Sequence, residues 1–176
     1  MGRLWTWQSR KIAPWTPALQ LHGAGCSTVT GSSSGIGIET ARGLAMGGAA
    51  VALAVRRPEV GESVVADIQT STGNPNVRVA RLDLSDQSSV REFAADWLGP
   101  LHILVNNAGI MALPSLERSP EGWEMQLATN FLGHFALAVE ATPRWAGEGI
   151  FANALNPGAI ATTEVHRWAE DVTRTA

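Results

Sequence analysis

Residues 28–37 read TVTGSSSGIG, an apolar run that leads into glycine and serine and continues with a helical pattern. Gly31 can turn sharply off a strand, Gly35 lets a diphosphate approach the backbone, and Gly37 allows the helix to pack closely on a sheet. The free N–H groups and the positive dipole end of the first helical turn form an anion site. This stretch therefore predicts a strand, a phosphate-binding turn and a helix.

Outward from this stretch, short apolar runs alternate with segments of helical period, which is typical of a parallel sheet with crossover helices. In the first predicted helix, a spacing of four places Ile36, Thr40 and Leu44 on one face. Strands are predicted near Ser27–Thr30, Ala50–Val55, Val77–Leu82, Leu101–Asn106 and Ile150–Leu155, and helices over Ser34–Met46, Val60–Ile68 and Val90–Leu98 and from Pro120 onward. The sequence therefore predicts an α/β fold with a parallel sheet of about five strands.

Composition favours one globular domain without disulfide or metal support. The chain has 176 residues, of which 45% are hydrophobic and 16% charged, and this length is enough to bury a substantial core. We expect a poorly ordered arm over residues 1–22, rich in Trp and Pro, and the domain over residues 23–176. Cys26 is the single cysteine, which excludes an internal disulfide, a zinc finger and an iron–sulfur cluster.

Charge and hydropathy argue against two classes of partner. The formal net charge is −3 and no block of Lys or Arg occurs, so the electrostatic footprint of nucleic-acid binding is absent. No run approaches the ~20 apolar residues that a membrane span requires. We expect a cytoplasmic protein, and the sequence leaves its oligomeric state open.

A basic pair follows the second predicted strand. In dinucleotide-binding folds, an acidic residue about twenty positions beyond the glycine-rich turn binds the ribose 2′-hydroxyl. This chain has Arg56 and Arg57 there instead, and two guanidinium groups suit the 2′-phosphate of NADP. The pair predicts NADP as the cofactor preferred over NAD, and the alternative is two solvated arginines at a strand end.

The glycine-rich stretch also allows a different enzyme class. Residues 31–35 read GSSSG and fit the Gly-x-Ser-x-Gly pattern of serine hydrolases, with Ser33 as the nucleophile. The acid and base that would follow in the required order are Asp83 with His102, or Glu164 with His166. This alternative is the weaker one, because the pattern follows the first strand of the chain rather than one deep in the sheet.

Four motifs in order resemble those of a known family. They are Thr30-Gly31-x-x-x-Gly35-Ile36-Gly37, Leu82-Asp83-Leu84, Asn106-Asn107-Ala108-Gly109 and Asn156-Pro157-Gly158. With them, residues 25–162 resemble the short-chain dehydrogenase/reductases, and the phrases over 105–112 and 129–135 resemble the branch of the retinol dehydrogenases and WW-domain oxidoreductases. The resemblance implies a Rossmann-like, doubly wound parallel sheet and NAD(P)-dependent oxidoreduction of a small alcohol or carbonyl compound.

The resemblance also implies roles for single residues. Asn130 occupies the place of the family's active-site asparagine, and His134, one helical turn further on, is a packing residue. The residues that it places around a nicotinamide dinucleotide are Gly31, Ser33, Ser34, Gly35, Ile36 and Gly37 in the phosphate turn, Arg56 and Arg57 at the adenosine ribose, Asp83 and Leu84 at the adenine, Asn107, Ala108 and Gly109 on the ribose side, and Pro157, Gly158, Ala159, Ile160 and Thr162 beside the nicotinamide.

Three catalytic groups of that family have no counterpart in this chain. The family delivers a proton from a Tyr whose pKa is lowered by a Lys four residues on, and a Ser polarises the substrate. The chain contains no Tyr, Lys11 is its only lysine, and no Ser follows Ser119. The junction near Ala138 indicates that an internal block is missing, namely the catalytic strand and the Tyr/Lys turn, and the family's last strand and helix have no counterpart either.

These features predict a truncated, NADP-preferring oxidoreductase with little or no turnover of the family type. An incomplete sheet also predicts an open edge and exposed apolar surface. Two alternatives remain: a nucleotide-binding remnant or interaction module without catalysis, and the less favoured serine hydrolase that uses Ser33.

Overall fold

The computed structural model describes residues 25–145 and 151–154. The arm expected over residues 1–22 and the motif at residues 156–162 lie outside the described residues. Strands alternate with helices in the order β1 (Cys26–Thr30), α1 (Gly35–Met46), β2 (Ala50–Val55), α2 (Pro58–Thr72), β3 (Val77–Arg81), α3 (Gln87–Asp96), β4 (Ile103–Asn106), α4 (Met125–Leu127), a π-helical segment (Ala128–Leu132), α5 (Gly133–Trp145) and β5 (Phe151–Ala154).

The strands form one parallel sheet in the order β3-β2-β1-β4-β5. Thr28 of β1 pairs with Ala52 on one side and with Leu104 on the other. The chain order reverses between β1 and β4, and such a switch point opens a crevice at the carboxyl ends of the strands, where α/β proteins bind ligands. The predicted α/β fold with five parallel strands is confirmed.

Apolar layers cover both faces of the sheet, which confirms the doubly wound arrangement. The six residues of β2 are almost entirely buried, as expected for a strand with helices on both sides. The layer on the side of α1 and α2 contains Val29, Ala41, Ala45, Ala49, Val51, Leu53, Val55, Val65, Ile68 and Val77. The layer on the side of α3 and α5 contains Ala52, Ala54, Leu82, Leu84, Val90, Phe93, Trp97, Leu101, Leu104 and Leu137.

The buried face of α1 differs from the predicted one. Gly37, Ala41 and Ala45 face the sheet, whereas Ile36 is 40% exposed. Small residues allow the helix backbone to approach the sheet closely, and a Cβ on Gly37 would lie 2.6 Å from the carbonyl oxygen of Gly31. The predicted face was therefore wrong in part: Leu44 packs against the core but Ile36 does not, because close approach and not side-chain size decides which face packs.

The helix predicted from Pro120 begins only at Met125. Gly122 has a φ of +87°, which a right-handed helix does not allow. The Glu124 carboxylate caps the helix start and accepts the N–H of Leu127 at 2.8 Å. The preceding segment is therefore a turn, and the proline lies in that turn rather than in the first turn of a helix.

The region near Ala138 is continuous helix. Helix α5 runs through this position to Trp145, so the segments on either side of the predicted junction form one helix. After it, β5 pairs in parallel with β4, with Ala154 beside Asn106. The strand that leads toward the Asn156-Pro157-Gly158 motif therefore lies directly next to β4.

The expected exposed apolar surface is present on the same helical stretch. Leu127, Phe131, Phe135 and Val139 are between 48% and 62% exposed and follow one another at a spacing of four, and the rings of Phe131 and Phe135 stack with centroids 6.4 Å apart. Within the described ranges, no helix is long and apolar enough to cross a membrane.

Candidate functional site

The carboxyl edge of the sheet brings the predicted ligand-binding residues together. Because the strands are parallel, the turn after β1, Arg56 after β2, Asp83 beyond β3 and the loop after β4 lie at one edge. Backbone hydrogen bonds join their starting points, among them the one from the N–H of Gly31 to the carbonyl of Ala54 at 2.9 Å. The predicted residues Pro157, Gly158, Ile160 and Thr162 lie outside the described residues.

Two glycines of the turn after β1 have different tasks. Both have positive φ, +66° at Gly31 and +57° at Gly35, a region that favours glycine. A Cβ on Gly31 would lie 2.7 Å from the Cα of Ala108, whereas a Cβ on Gly35 would meet no atom within 4 Å beyond its chain neighbours and its own helix backbone. Gly31 is therefore required by packing, and the open space at Gly35 fits the close approach of a diphosphate to the backbone.

The start of α1 carries no cap from a side chain. Ser34 stands at the N-cap position in an extended conformation, but its hydroxyl makes no capping hydrogen bond, and no acidic residue lies in the first turn. The first N–H groups of a helix have no partner within the helix. These amides and the helix dipole are available to an anion, and the exposed Ser34, Gly35 and Ile36 surround them.

Thr30 holds the loops on either side of the crevice together. Its Oγ1 accepts the N–H groups of Asn107 and Ala108, each at 2.9 Å. The side-chain Nδ2 of Asn107 donates to the carbonyl of Thr30 at 2.9 Å. The predicted residue Asn107 thus hydrogen-bonds to the end of β1. Thr30 is the centre of this network, although the sequence analysis named it only as part of a motif.

Charged groups lie at the ends of β2 and β3. Arg56 and Arg57 are exposed, and neither forms an ion pair with another described residue. The carboxylate of Asp83 accepts the N–H of Ser85 at 3.0 Å and its hydroxyl at 2.6 Å, both on Oδ1. Asp83 is thereby held in a fixed orientation, and the two guanidinium groups are free to bind a phosphate.

Asn130 lies in the π-helical segment and binds the backbone of a loop after β4. Its Oδ1 accepts the N–H of Ile110 at 2.8 Å, and its Nδ2 donates to the Ile110 carbonyl at 2.8 Å. The carbonyl of Asn130 lies 3.3 Å from Nδ1 of His134. The carboxamide predicted to be catalytic is therefore already engaged in holding Ile110.

His134 is buried, as expected of a packing residue, but it also forms hydrogen bonds. Its Nε2 lies 3.1 Å from the hydroxyl of Thr30. Burial lowers the pKa of the imidazole, and the hydrogen bond to the Asn130 carbonyl opposes this effect only in part. The side chain is therefore neutral at pH 7. The sequence indicated its burial only through its position on the inner face of the predicted helix.

Gly133 is a further residue that the sequence analysis did not single out. A Cβ there would collide with the carbonyl oxygen and the Cβ of Leu84. This glycine lets the start of α5 pack on the loop after β3, which contains the predicted adenine residues Asp83 and Leu84. Its place directly before His134 in a helical pattern gave no hint of this contact.

The geometry does not support the serine-hydrolase alternative. Ser33 follows β1 at the carboxyl edge of the sheet, whereas His102 precedes β4 at the amino edge, where its Nδ1 accepts the N–H of Cys26 at 3.0 Å. The imidazole of His134 faces Thr30. The proposed triad of Ser33, Asp83 and His102 is therefore wrong, and the pair Glu164 and His166 lies outside the described residues. No cluster of metal-ligating side chains occurs among the described residues.

Comparisons with known proteins agree with this arrangement. A family model described as short chain dehydrogenase matches residues 26–149. A probable oxidoreductase of Streptomyces lividans is 40% identical over 206 residues, which cover 85% of this chain and 69% of that protein. Human retinol dehydrogenase 11 is 49% identical over 125 residues, which cover 69% of this chain and 39% of that protein. The crystal structure of a metagenomic short-chain oxidoreductase in complex with NADP has a TM-score of 0.65 and 25% identity, over 87% of this chain and 74% of that one.

The extent of these matches bears on the missing block. The chain spans well under half the length of the human retinol dehydrogenase. The alignment with the Streptomyces protein runs over 206 positions, more than the 176 residues of the whole chain, although it covers only 85% of it. That alignment therefore includes positions of the relative that this chain lacks, as a missing internal block requires.

Proposed function

Since the chain belongs to the short-chain dehydrogenase/reductase family, we propose that it binds a nicotinamide dinucleotide at the carboxyl edge of the sheet, with NADP preferred over NAD. The observation that carries the proposal is the start of α1. There, a turn leaves open space at Gly35, and the side chain of the N-cap residue Ser34 makes no hydrogen bond to the helix amides. The turn after β1 binds the diphosphate, and the loop Asn107–Gly109 closes the ribose side.

The preference for NADP depends on Arg56 and Arg57. Both are exposed at the end of β2 and free of carboxylate partners within the described part of the chain. A guanidinium group binds a phosphate through two parallel hydrogen bonds, which a ribose hydroxyl cannot match. NADP complexes among the structural relatives support this reading.

We further propose that the chain has little or no turnover. When bound, the nicotinamide supplies hydride transfer, and reduction of a carbonyl also needs a proton at the oxygen. The chain has no Tyr to donate it. The carboxamide of Asn130 holds Ile110, and the neutral imidazole of His134 is buried against Thr30. General acid catalysis contributes typically ~10²- to 10⁴-fold, so the remaining rate is expected to be very small.

Isothermal titration calorimetry tests the cofactor preference. We expect the unmodified chain to bind NADPH more tightly than NADH. Replacing Arg56 and Arg57 with Ala should weaken NADPH binding by about ten- to 100-fold, since hydrogen bonds to charged groups contribute about 1.5–3 kcal/mol, and leave NADH almost unchanged. Arg91→Ala, which removes an exposed arginine of α3, is the control. Equal affinities for the two nucleotides in the unmodified chain would contradict the preference.

A turnover assay tests the second proposal. We expect NADPH oxidation with a panel of aldehydes and ketones, and NADP reduction with the corresponding alcohols, to stay at the level of a heat-treated sample. Cofactor binding without turnover would support a nucleotide-binding module, whereas a rate well above that control would show that another group donates the proton.

The cytoplasmic location stays a prediction, and cell fractionation would test it.

A further inference from the structure

The hydroxyl of Thr30 has one hydrogen and two lone pairs to place. Both lone pairs are used, because Oγ1 accepts the N–H groups of Asn107 and Ala108. Its hydrogen must therefore point to an acceptor, and the two within reach are the carbonyl of Val105 at 3.3 Å and Nε2 of His134 at 3.1 Å. The nearer acceptor is the imidazole.

The hydrogen bonds of the imidazole leave its Nε2 as an acceptor for the Thr30 hydroxyl. Its Nδ1 lies 3.3 Å from the carbonyl of Asn130, which can only accept. In the neutral ring, Nδ1 then carries the hydrogen and Nε2 is the acceptor that Thr30 needs. His134 is 9% exposed, so little of the side chain is open to water.

This ring joins three segments of the crevice. Thr30 is the last residue of β1 before the glycine-rich turn, and its two amide donors begin the loop after β4. Asn130 belongs to the π-helical segment and holds Ile110 of that same loop. Removal of the imidazole would leave the Thr30 hydroxyl only the longer contact to the Val105 carbonyl and would remove the link between the π-helical segment and the end of β1.

We propose that His134 is a positioning residue for dinucleotide binding, which fixes the Thr30 hydroxyl and thereby sets the glycine-rich turn against the loop Asn107–Gly109. The proposal rests on the proposed function, because the site it serves is the dinucleotide site. Without the ring, a dinucleotide must order these loops as it binds, and ordering costs affinity. The loss expected from one buried hydrogen bond is about tenfold in the dissociation constant.

Calorimetric titration of NADPH into matched variants tests the proposal. His134→Leu removes both nitrogens, Thr30→Val removes the hydroxyl, and His134→Gln keeps a side-chain oxygen that can accept from Thr30. We expect about tenfold weaker binding for His134→Leu, partial recovery for His134→Gln, and a double variant that binds no more weakly than Thr30→Val alone. Leu137→Ala, a fully buried change one turn along α5, should lower stability without changing affinity.

Nitrogen-15 NMR of the imidazole provides a readout that does not need the nucleotide. We expect the Nδ1–H tautomer in the unmodified chain. The Nε2 signal should shift strongly in Thr30→Val, which removes the hydroxyl, and less in Thr30→Ser, which keeps it. If His134→Leu does not fold, the NADPH affinity of His134→Gln and the tautomer seen in the unmodified chain test the proposal instead.

The outcomes separate the two claims. NADPH affinity in His134→Leu equal to that of the unmodified chain, or an Nε2–H tautomer, would overturn the positioning role alone. If the unmodified chain showed the Nδ1–H tautomer but no NADPH binding, the proposed function would be overturned and the positioning role with it, while the hydrogen bond between Thr30 and His134 would stand.

Discussion

Helices α1 and α3 follow β1 and β3, the strands on either side of β2, but they begin in opposite ways. The start of α3 is closed: the Asp86 carboxylate accepts the N–H groups of Ser88 at 2.8 Å and Ser89 at 3.4 Å, and Glu121 accepts that of Gln87 at 2.9 Å. The start of α1 is open, because Ser34 provides no such bond. One helix is capped by its own chain, and the other leaves its amides for a ligand.

The electrostatics follow the same division. Hydrogen bonds with Ser88 lower the pKa of Asp86, so the start of α3 carries a negative charge at pH 7. No acidic residue lies in the first turn of α1. A cap contributes typically ~1 kcal/mol to stability, and the chain forgoes this contribution at the one helix start that follows the glycine-rich turn. Helix α2 also begins without a side-chain cap, but it follows Arg57 and not a glycine-rich turn. The open start of α1 therefore supports the proposed anion site.

Closing the open helix start should have the largest effect. Ser34→Asp places a carboxylate at the N-cap of α1, where it would accept the amides and repel a diphosphate. We expect NADPH affinity to fall on the order of 100-fold, while the melting temperature stays the same or rises. Ser34→Asn, which has the same shape without the charge, separates repulsion from simple occupation, and calorimetry measures both. Retention of full affinity in Ser34→Asp would refute the anion site.

Filling the open space at Gly35 should have the next largest effect. In Gly35→Ala the new Cβ occupies a volume that no protein atom touches, so the fold loses only the ~1–2 kcal/mol of a left-handed alanine. We expect NADPH binding to weaken at least about tenfold. Gly73→Ala is the matched control, since Gly73 also has positive φ and open space but lies after α2. A similar loss of affinity in both variants would mean that backbone strain, and not the site, is responsible.

Removing the cap of α3 should affect stability alone. Asp86→Ala takes away the acceptor for two amides, and we expect the free energy of unfolding to fall by about 1 kcal/mol in a urea titration. Ser34→Ala should change it by less than about 0.5 kcal/mol, because that side chain caps nothing. Equal losses in the two variants would erase the contrast between the helix starts.

The smallest effect is expected from mild acid. Burial lowers the pKa of His134, so the unfolded chain binds a proton more readily than the folded one. The stability from this group is therefore complete above about pH 6.5 and decreases as the pH falls below that value. Urea titrations between pH 7.5 and pH 5.5, about one unit on either side of the ordinary histidine pKa, should show a decline that His134→Gln lacks. A pH-independent difference between the two proteins would contradict a buried neutral imidazole.

The strands and the glycine-rich turn were predictable from the sequence because they depend on local signals. Apolar runs such as Ala50–Val55 and the glycines at 31 and 35 act within a few residues of one another. The late start of the helix at Met125 was missed because the positive φ of Gly122 was not visible in the sequence. Local patterns thus predicted the elements but not each boundary.

The connections within the site required the three-dimensional structure. Thr30, His134 and the contact of Gly133 with Leu84 join residues more than 45 positions apart, and no periodicity encodes such pairs. The buried face of α1 was mispredicted for a related reason, since the sheet selects the small residues Gly37, Ala41 and Ala45. Contacts between residues that are distant in the sequence, rather than helical period, determine both the connections in the site and the buried face of α1.

The most direct test of the central claim is the response of backbone amides to NADPH, followed by NMR of the labelled chain. A dinucleotide whose diphosphate binds the open helix start should shift the amide signals of Ser33, Ser34 and Ile36 strongly and those of Ser88 and Ser89 hardly at all. Saturating NADPH that left the first group unmoved in a folded chain, or that moved both groups alike, would contradict the account.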